Sequence, residues 1–209
     1  MQNKGILTIL SGFSGSGKGT IVGKLMERYE NYALSISATT RNPRPGEKDG
    51  REYFFISKEE FEKMIAKDEL IEYAKYVENY YGTPKTYVEQ KLAEGKDVIL
   101  EIEMQGALQV KEKFPQTLLL FVTPPNATIL KERLIGRGTE TMDVIESRMR
   151  QAVTESEVME KYDYLIINDD LETCVKETHD IITLAHNRCV SNEAFIRQMR
   201  EELKANLEG

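Results

Sequence analysis

The stretch Gly12-Phe13-Ser14-Gly15-Ser16-Gly17-Lys18-Gly19-Thr20 constrains this chain more than any other. It follows the apolar run 6–10 directly and precedes Ile21, Val22 and Leu25, which recur at helical spacing. A glycine-rich GxxxxGK turn between a strand and a helix has a specific physical use. The glycines let successive backbone N–H groups converge, the helix N-terminus adds positive potential there, and Lys18 supplies a mobile cation. Binding of a nucleoside triphosphate is expected. The acceptor of any transferred group has to be read elsewhere.

Further apolar runs at 98–102, 118–122 and 164–167 alternate with helix-period segments, the pattern of an α/β fold with a parallel sheet. These runs are apolar at nearly every position, so helices are expected on both faces. Ser57 followed by Glu60 fits a capping box, with Phe61, Met64 and Ile65 as the buried stripe. Tyr87, Val88, Lys91 and Leu92 continue the pattern in a helix that Gly95 can close, and Asn126 can cap one carrying Ile129, Leu130, Arg133 and Leu134 and ending near Gly136.

Residues 38–83 break the alternation. Pro43, Pro45, Gly46 and Gly50, with Tyr53, Phe54, Phe55, Tyr73, Tyr76, Tyr80 and Tyr81, predict a small β-rich insertion with a helix. The Gly- and Thr-rich polar segment 135–143 reads as a mobile loop. The expected fold is α/β: a P-loop NTPase-type parallel sheet flanked by helices, in a single domain. Its core is 1–37, 84–134 and 144–190, its insertion 38–83, its mobile loop 135–143 and its C-terminal helix 191–209. Ala194, Phe195, Ile196, Met199 and Leu203 give that last helix a packing stripe, for which another subunit of a homo-oligomer is a candidate partner.

With 209 residues, 40% of them in the hydrophobic class, the chain can bury one substantial core. Its 28 basic and 35 acidic residues leave a net charge of −7, which argues against nucleic acid or an anionic membrane as partner. Phosphate binding must therefore be local. No apolar stretch approaches the about 18 residues of a membrane span or the roughly 7–15 of a secretory signal centre, so a cytoplasmic location is expected. Cys174 and Cys189 fit neither a zinc pair nor a CxxC motif, which leaves reduced, structural thiols. His179 and His186 lie one heptad apart without a nearby carboxylate or Cys ligand set, and no catalytic role is assigned to them.

The segment Ser35-Ile36-Ser37-Ala38-Thr39-Thr40-Arg41-Asn42-Pro43-Arg44-Pro45-Gly46-Glu47-Lys48-Asp49-Gly50-Arg51-Glu52-Tyr53 resembles the guanylate kinase signature. The resemblance continues in family order through Glu72, Asn79-Tyr80-Tyr81-Gly82-Thr83, Glu101-Ile102-Glu103-Met104-Gln105-Gly106, Arg137-Gly138-Thr139-Glu140-Thr141 and Asn168-Asp169-Asp170, and covers about residues 5–185. It implies transfer of the γ-phosphoryl group of MgATP to GMP and dGMP, with the insertion 38–83 holding GMP and 135–143 acting as a lid.

The resemblance also implies roles. Gly12, Phe13, Ser14, Gly15, Ser16, Gly17, Lys18, Gly19, Thr20, Arg133, Arg137, Asn168 and Asp169 fall on the ATP side. Arg41, Arg44, Tyr53 and Tyr81 correspond to the grip on the GMP phosphate. Their chemistry agrees, since two guanidinium forks around a proline can share one phosphate and two phenols add donors without charge. Glu72 would read the base: a carboxylate accepts from guanine N1–H and the 2-amino group and repels the N1 lone pair of adenine. Ser37 supplements it, and Thr83 would donate to the guanine 6-oxygen.

Glu101 and Glu103 follow a buried-looking run, at the strand end where ligands of open α/β sheets gather, and their period-two spacing points both the same way. Family members often carry aspartates here. By resemblance Glu101 lies near magnesium, through water, and Glu103 near the guanine amino group. Thr20 is the other candidate magnesium ligand, because Gly19 occupies the usual Ser or Thr position. Phe13 stands where relatives often have proline.

Lys18, Arg44, Arg137 and Arg148 are the candidate catalytic residues. Arg133 and Arg137 lead into the polar loop and Arg148 leaves it, where closure over a triphosphate would expel water and strengthen their fields. Two other readings stay open at this point. Another nucleoside monophosphate kinase would lack the guanine-reading set Glu72, Ser37 and Thr83. A non-catalytic binding module would tolerate the loss of Lys18 and the loop arginines.

Overall fold

Most of the apolar runs become strands with helices packed over both faces. The computed structural model describes residues 4–76, 78–138 and 140–208; Val77 of the insertion and Thr139 of the 135–143 loop lie outside the described residues. In chain order the elements begin with β1 (Leu7–Gly12), α1 (Lys18–Arg28), β2 (Tyr32–Leu34), β3 (Ala38–Thr39), β4 (Phe54–Phe55) and α2 (Lys58–Ala66). They continue with β5 (Leu70–Tyr76), β6 (Asn79–Pro84), α3 (Lys85–Ala93), β7 (Asp97–Glu101), α4 (Met104–Lys113) and β8 (Leu118–Thr123). The chain ends with α5 (Ala127–Gly136), α6 (Met142–Ser156), β9 (Tyr164–Ile167), α7 (Leu171–Ala185) and α8 (Glu193–Glu208).

Five strands form a parallel sheet in the order β2-β7-β1-β8-β9, which puts the glycine-rich turn at the C-terminal end of the central strand. Alternate residues of β8 enter different layers, as the two-residue period requires. Leu118, Leu120 and Val122 pack with residues of α1 and α7, Leu119 with those of α3 and α4, and Phe121 with those of α5 and α6. All five are fully buried, and each such side chain stabilises the fold by about 1.5–3 kcal/mol relative to exposure.

Strand β9 departs from the expectation of two covered faces. Only Ile166 is buried, while Tyr164, Leu165 and Ile167 are 47%, 50% and 52% exposed. As the edge of the sheet it is covered by α7 on one face. Its other face looks into a cavity of about 410 Å³ lined in part by Phe13, Leu130, Val153, Leu165 and Ile167. The sequence pattern does not predict β2, whose three residues are too few to display a period. The stripe expected to pack on α8 is largely open, with Phe195, Met199 and Leu203 at 51%, 41% and 59% exposure. Among the described residues no helix is long and apolar enough to cross a membrane.

Residues 38–83 form a separate four-stranded sheet in the order β4-β3-β6-β5, with α2 packed against it through Phe61. The capping box is present: Glu60 N donates to Ser57 Oγ at 3.1 Å and Ser57 N to Glu60 Oε2 at 2.9 Å. Phe61 is fully buried, stacks on Tyr80 at 5.1 Å and meets Ala38 and Leu70. Strand β6 runs straight into α3, so this small sheet is attached directly to the main layer.

Both histidines have structural partners that local spacing could not reveal. His179 stacks on Tyr29 at 3.6 Å and shares a 2.8 Å hydrogen bond with the Tyr32 hydroxyl. The expectation that His186 lacks a carboxylate is corrected: its Nε2 lies 2.8 Å from Asp97 Oδ1, a residue 89 positions away. Asp97 is buried and also accepts from Ile6 N at 2.8 Å and Asn31 Nδ2 at 3.0 Å, tying the first strand, the α1–β2 turn and the end of α7 together. Asp97→Ala would orphan the buried Ile6 N–H and two side chains, so a loss of about 3 kcal/mol is expected, read as a lower urea midpoint with unchanged slope. Cys174 is buried in α7, whereas Cys189 is exposed beyond the end of that helix.

Candidate active site

The turn between β1 and α1 is held from three sides. Gly17, at φ 96°, caps α1, and a Cβ there would come within 2.3 Å of Asn168 Nδ2. That amide instead donates to the Ser16 carbonyl at 2.8 Å. Arg133 reinforces the brace, donating from Nη2 to the Asn168 carbonyl at 2.8 Å and from Nη1 to the Ser16 carbonyl at 3.4 Å. Asn168 and Arg133 therefore shape the turn from behind, and Asp169 follows at the end of β9. The Phe13 side chain is buried against Phe121 at 5.0 Å, so only its backbone is offered to the turn.

Lys18 Nζ donates to the carbonyls of Gly12 at 2.8 Å and Phe13 at 3.2 Å, folded back over the turn. Burial pushes its ammonium below the ordinary value; Glu101, Glu103 and Glu155 oppose that shift and Arg137 adds to it. Glu101 ends β7, paired in register with Leu10, and its carboxylate lies 3.7 Å from where a Gly19 Cβ would stand. Burial raises the Glu101 carboxyl, while Lys18 pulls it down. Glu103 is the N-cap residue of α4, and its side chain makes no capping hydrogen bond to that helix. Thr20 is exposed in the first turn of α1.

The arginines around residues 135–143 take different positions. Arg148 Nη1 donates to Ser14 Oγ at 2.6 Å, and the same guanidinium forms a two-point pair with Glu140, with Nε at 2.7 Å. Arg137 is exposed at the end of α5.

On the insertion, Arg41 forms a two-point ion pair with Glu47, both contacts at 3.0 Å, and lies over the rings of Tyr53 at 5.4 Å and Phe55 at 5.7 Å. Glu47 holds the Arg41 guanidinium above its ordinary value, with Tyr81 contributing less. Tyr53 meets Tyr81 edge to face at 6.0 Å, and burial pushes its phenol up, keeping it a donor. Arg44 is exposed, and its backbone N–H donates to Glu47 Oε2 at 2.7 Å.

Glu72 on β5 is buried, and the Thr83 hydroxyl donates to its Oε1 at 2.7 Å. A hydroxyl has one proton, so donation from Thr83 to a purine oxygen would require that bond to be exchanged. Burial raises the Glu72 carboxyl, opposed by Thr83 and then Lys113. Ser37 is half-buried just before β3, its carbonyl accepting from Phe54 N at 2.9 Å.

The glycine-rich turn and Glu72 are approached by the two ends of one short segment. Glu101 lies over Gly19, and five residues on, a Cβ at Gly106 would stand 3.1 Å from Glu72 Oε2. Even fully extended, five residues span at most about 18 Å. Sequence reasoning assigned no role to Gly106, Glu47, Glu140 or Glu155. Glu155 is a buried carboxyl on α6, raised by burial and by Glu103. Its signal was a Glu falling in the helix's buried stripe with Ile145 and Ala152.

Comparison with known proteins gives a consistent result. A family model described as guanylate kinase matches residues 4–185. The chain is 53% identical to a guanylate kinase of Enterococcus faecalis over 90% of this chain and 93% of that protein. It is 47% identical to one of Oceanobacillus iheyensis over 99% of both. A crystal structure of guanylate kinase from Anaplasma phagocytophilum superposes with a TM-score of 0.67 at 32% identity, covering 87% of this chain and 86% of the other. With the glycine-rich turn, the insertion and the segment joining them in place, the chain belongs to the guanylate kinase family.

Proposed function

We propose that this chain transfers the γ-phosphoryl group of ATP to GMP, forming ADP and GDP, with dGMP as a second acceptor. The observation that carries this reading is the segment from Glu101 to Gly106, which touches the head of α1 at one end and the Glu72 pocket at the other. An oxygen of the GMP phosphate forms the bond to the γ-phosphorus as the bond to the β,γ-bridging oxygen breaks and ADP leaves. No protein group is phosphorylated, so the chain's work is positioning, charge neutralisation and exclusion of water.

Lys18 exchanges its two carbonyl partners for phosphate oxygens, which accept charge-assisted and stronger bonds. Arg41, Arg44, Tyr53 and Tyr81 hold the acceptor phosphate. Residues 135–143 act as the lid, bringing Arg137 to the transferring group, while Arg148 already reaches Ser14 of the turn. Glu72, with Ser37 and Thr83, reads guanine.

The head of α1 suits magnesium arriving with the triphosphate. Glu101 borders Gly19, Thr20 is exposed beside it, and no group of three His, Cys, Asp or Glu side chains able to hold a metal occurs among the described residues. Such a sparse oxygen set fits an ion that keeps several waters. Thr20 and Glu101, the latter through water, would hold it, and there it supplies neutralisation of the phosphate charge.

The test is an acceptor panel with ATP as donor, followed by ADP release. GMP is expected to exceed AMP, CMP and UMP in kcat/KM by about 10⁴-fold. Turnover favouring AMP would overturn the guanine assignment. GMP binding without turnover of any acceptor would make the chain a binding module.

A further inference from the structure

We propose that Glu47 is a positioning residue for the acceptor phosphate: it locks one edge of the Arg41 guanidinium and the Arg44 backbone into a single preformed clamp. The inference rests on the reading that Arg41 and Arg44 hold that phosphate.

Glu47 Oε2 and Oε1 take Nη1 and Nη2 of Arg41, both at 3.0 Å, and Nη1 also donates to the Asn42 carbonyl at 2.7 Å. That commits the end-on edge of the fork. The side edge, Nε–H with the second Nη2 hydrogen, meets no carboxylate or carbonyl among the described residues and lies toward the Tyr81 hydroxyl, so it can serve a phosphate together with that phenol. Glu47 Oε2 further accepts from Arg44 N at 2.7 Å, and Glu47 N donates to the Arg44 carbonyl at 3.0 Å, closing the turn 44–47 on itself. The side chains of the pair are only 15% and 18% exposed, and the guanidinium is further confined by the Tyr53 and Phe55 rings.

A carboxylate in a phosphate site admits two opposite readings. As a placeholder it would compete with the incoming anion, and its removal would tighten binding. The anchoring by the Arg44 N–H argues against displacement, since that bond does not depend on Arg41 and would be lost for nothing. As a brace, Glu47 removes the rotamer freedom Arg41 would otherwise lose on binding, so its removal weakens the acceptor complex. The ion pair lowers the local positive charge, but Arg44 and the phenols of Tyr53 and Tyr81 still face the acceptor.

The test compares wild type, Glu47→Gln, Arg41→Ala and the double variant, measuring KM for GMP and ATP, kcat, and GMP binding by calorimetry. Glu47→Gln should raise the GMP KM and Kd about tenfold with ATP KM unchanged, the unchanged ATP KM reporting an intact fold. Added to Arg41→Ala, it should change GMP binding by less than about twofold, because its main route of action is already gone. A GMP affinity unchanged or tightened by Glu47→Gln, or an effect that multiplies fully with that of Arg41→Ala, would overturn the proposal. If Glu47→Gln does not fold, Glu47→Asp takes its place, with a smaller increase in GMP Kd that again disappears in the Arg41→Ala background. Calorimetry needs no turnover, so a wild type that binds GMP without phosphorylating it refutes the kinase reading while leaving this comparison intact.

Discussion

Lys18→Ala is expected to lower kcat by about 10³-fold while leaving GMP affinity within about twofold. Lys18 is the first residue of α1, and its ammonium is folded back over the carbonyls of Gly12 and Phe13 in the glycine-rich turn. Neutralisation of the transferring group in a site that closes against water is worth far more than a surface ion pair. Alanine removes that cation and leaves the amides to act alone. Arg41 and Arg44, in the loop between β3 and β4, and Glu72, on β5, belong to the insertion, and the hydrogen bonds of Lys18 go to Gly12 and Phe13, so on the proposed reading GMP calorimetry should be nearly unchanged. The rate is read by ADP release at saturating GMP and ATP. A variant turning over at the wild-type rate would remove the lysine from the mechanism.

How much of this was readable in advance depended on whether a feature was local. The glycine-rich turn between a strand and a helix was legible because its glycines, its lysine and the flanking elements occupy consecutive positions. The capping box at Ser57 and Glu60 and the Asn126 cap were legible for the same reason, and both are present. The hidden features are pairings across space. Nothing in the run from Asp97 to Glu101 announces that Asp97 will meet His186, and nothing around Phe13 announces that its ring will pack on Phe121. Glu47 and Glu155 looked like two more carboxylates in a chain that has 35 acidic residues. Their distinction lies in confinement: one is clasped by a guanidinium, the other is buried beside the field of Glu103 and Lys18. β9 misled in the opposite sense. Its apolar residues match those of a fully covered strand, and position at the sheet edge overrides what composition suggests.

Glu72→Gln is expected to lower kcat/KM for GMP by about 10³-fold and to shrink the preference for GMP over AMP by a similar factor. Glu72 is buried, with Oε1 taking the Thr83 proton and Oε2 against Gly106. A carboxylate is acceptor on both oxygens, which suits guanine's two adjacent donors and opposes adenine's N1 lone pair. Glutamine preserves volume but must turn a donor either toward Thr83 or toward the base. Keeping the Thr83 bond sets an NH₂ against guanine N–H, two donors facing each other at a buried position. The same NH₂ meets an acceptor in adenine, so AMP should lose nothing. The pH response gives an independent check. Burial raises the Glu72 carboxyl, so on acidification it protonates before an ordinary glutamate would. GMP KM in the wild type should therefore rise as pH falls toward that raised value, and this acid limb should be absent in Glu72→Gln, which has no proton to gain. A variant that retains the full preference for GMP, or the same acid limb, would place base recognition on other residues.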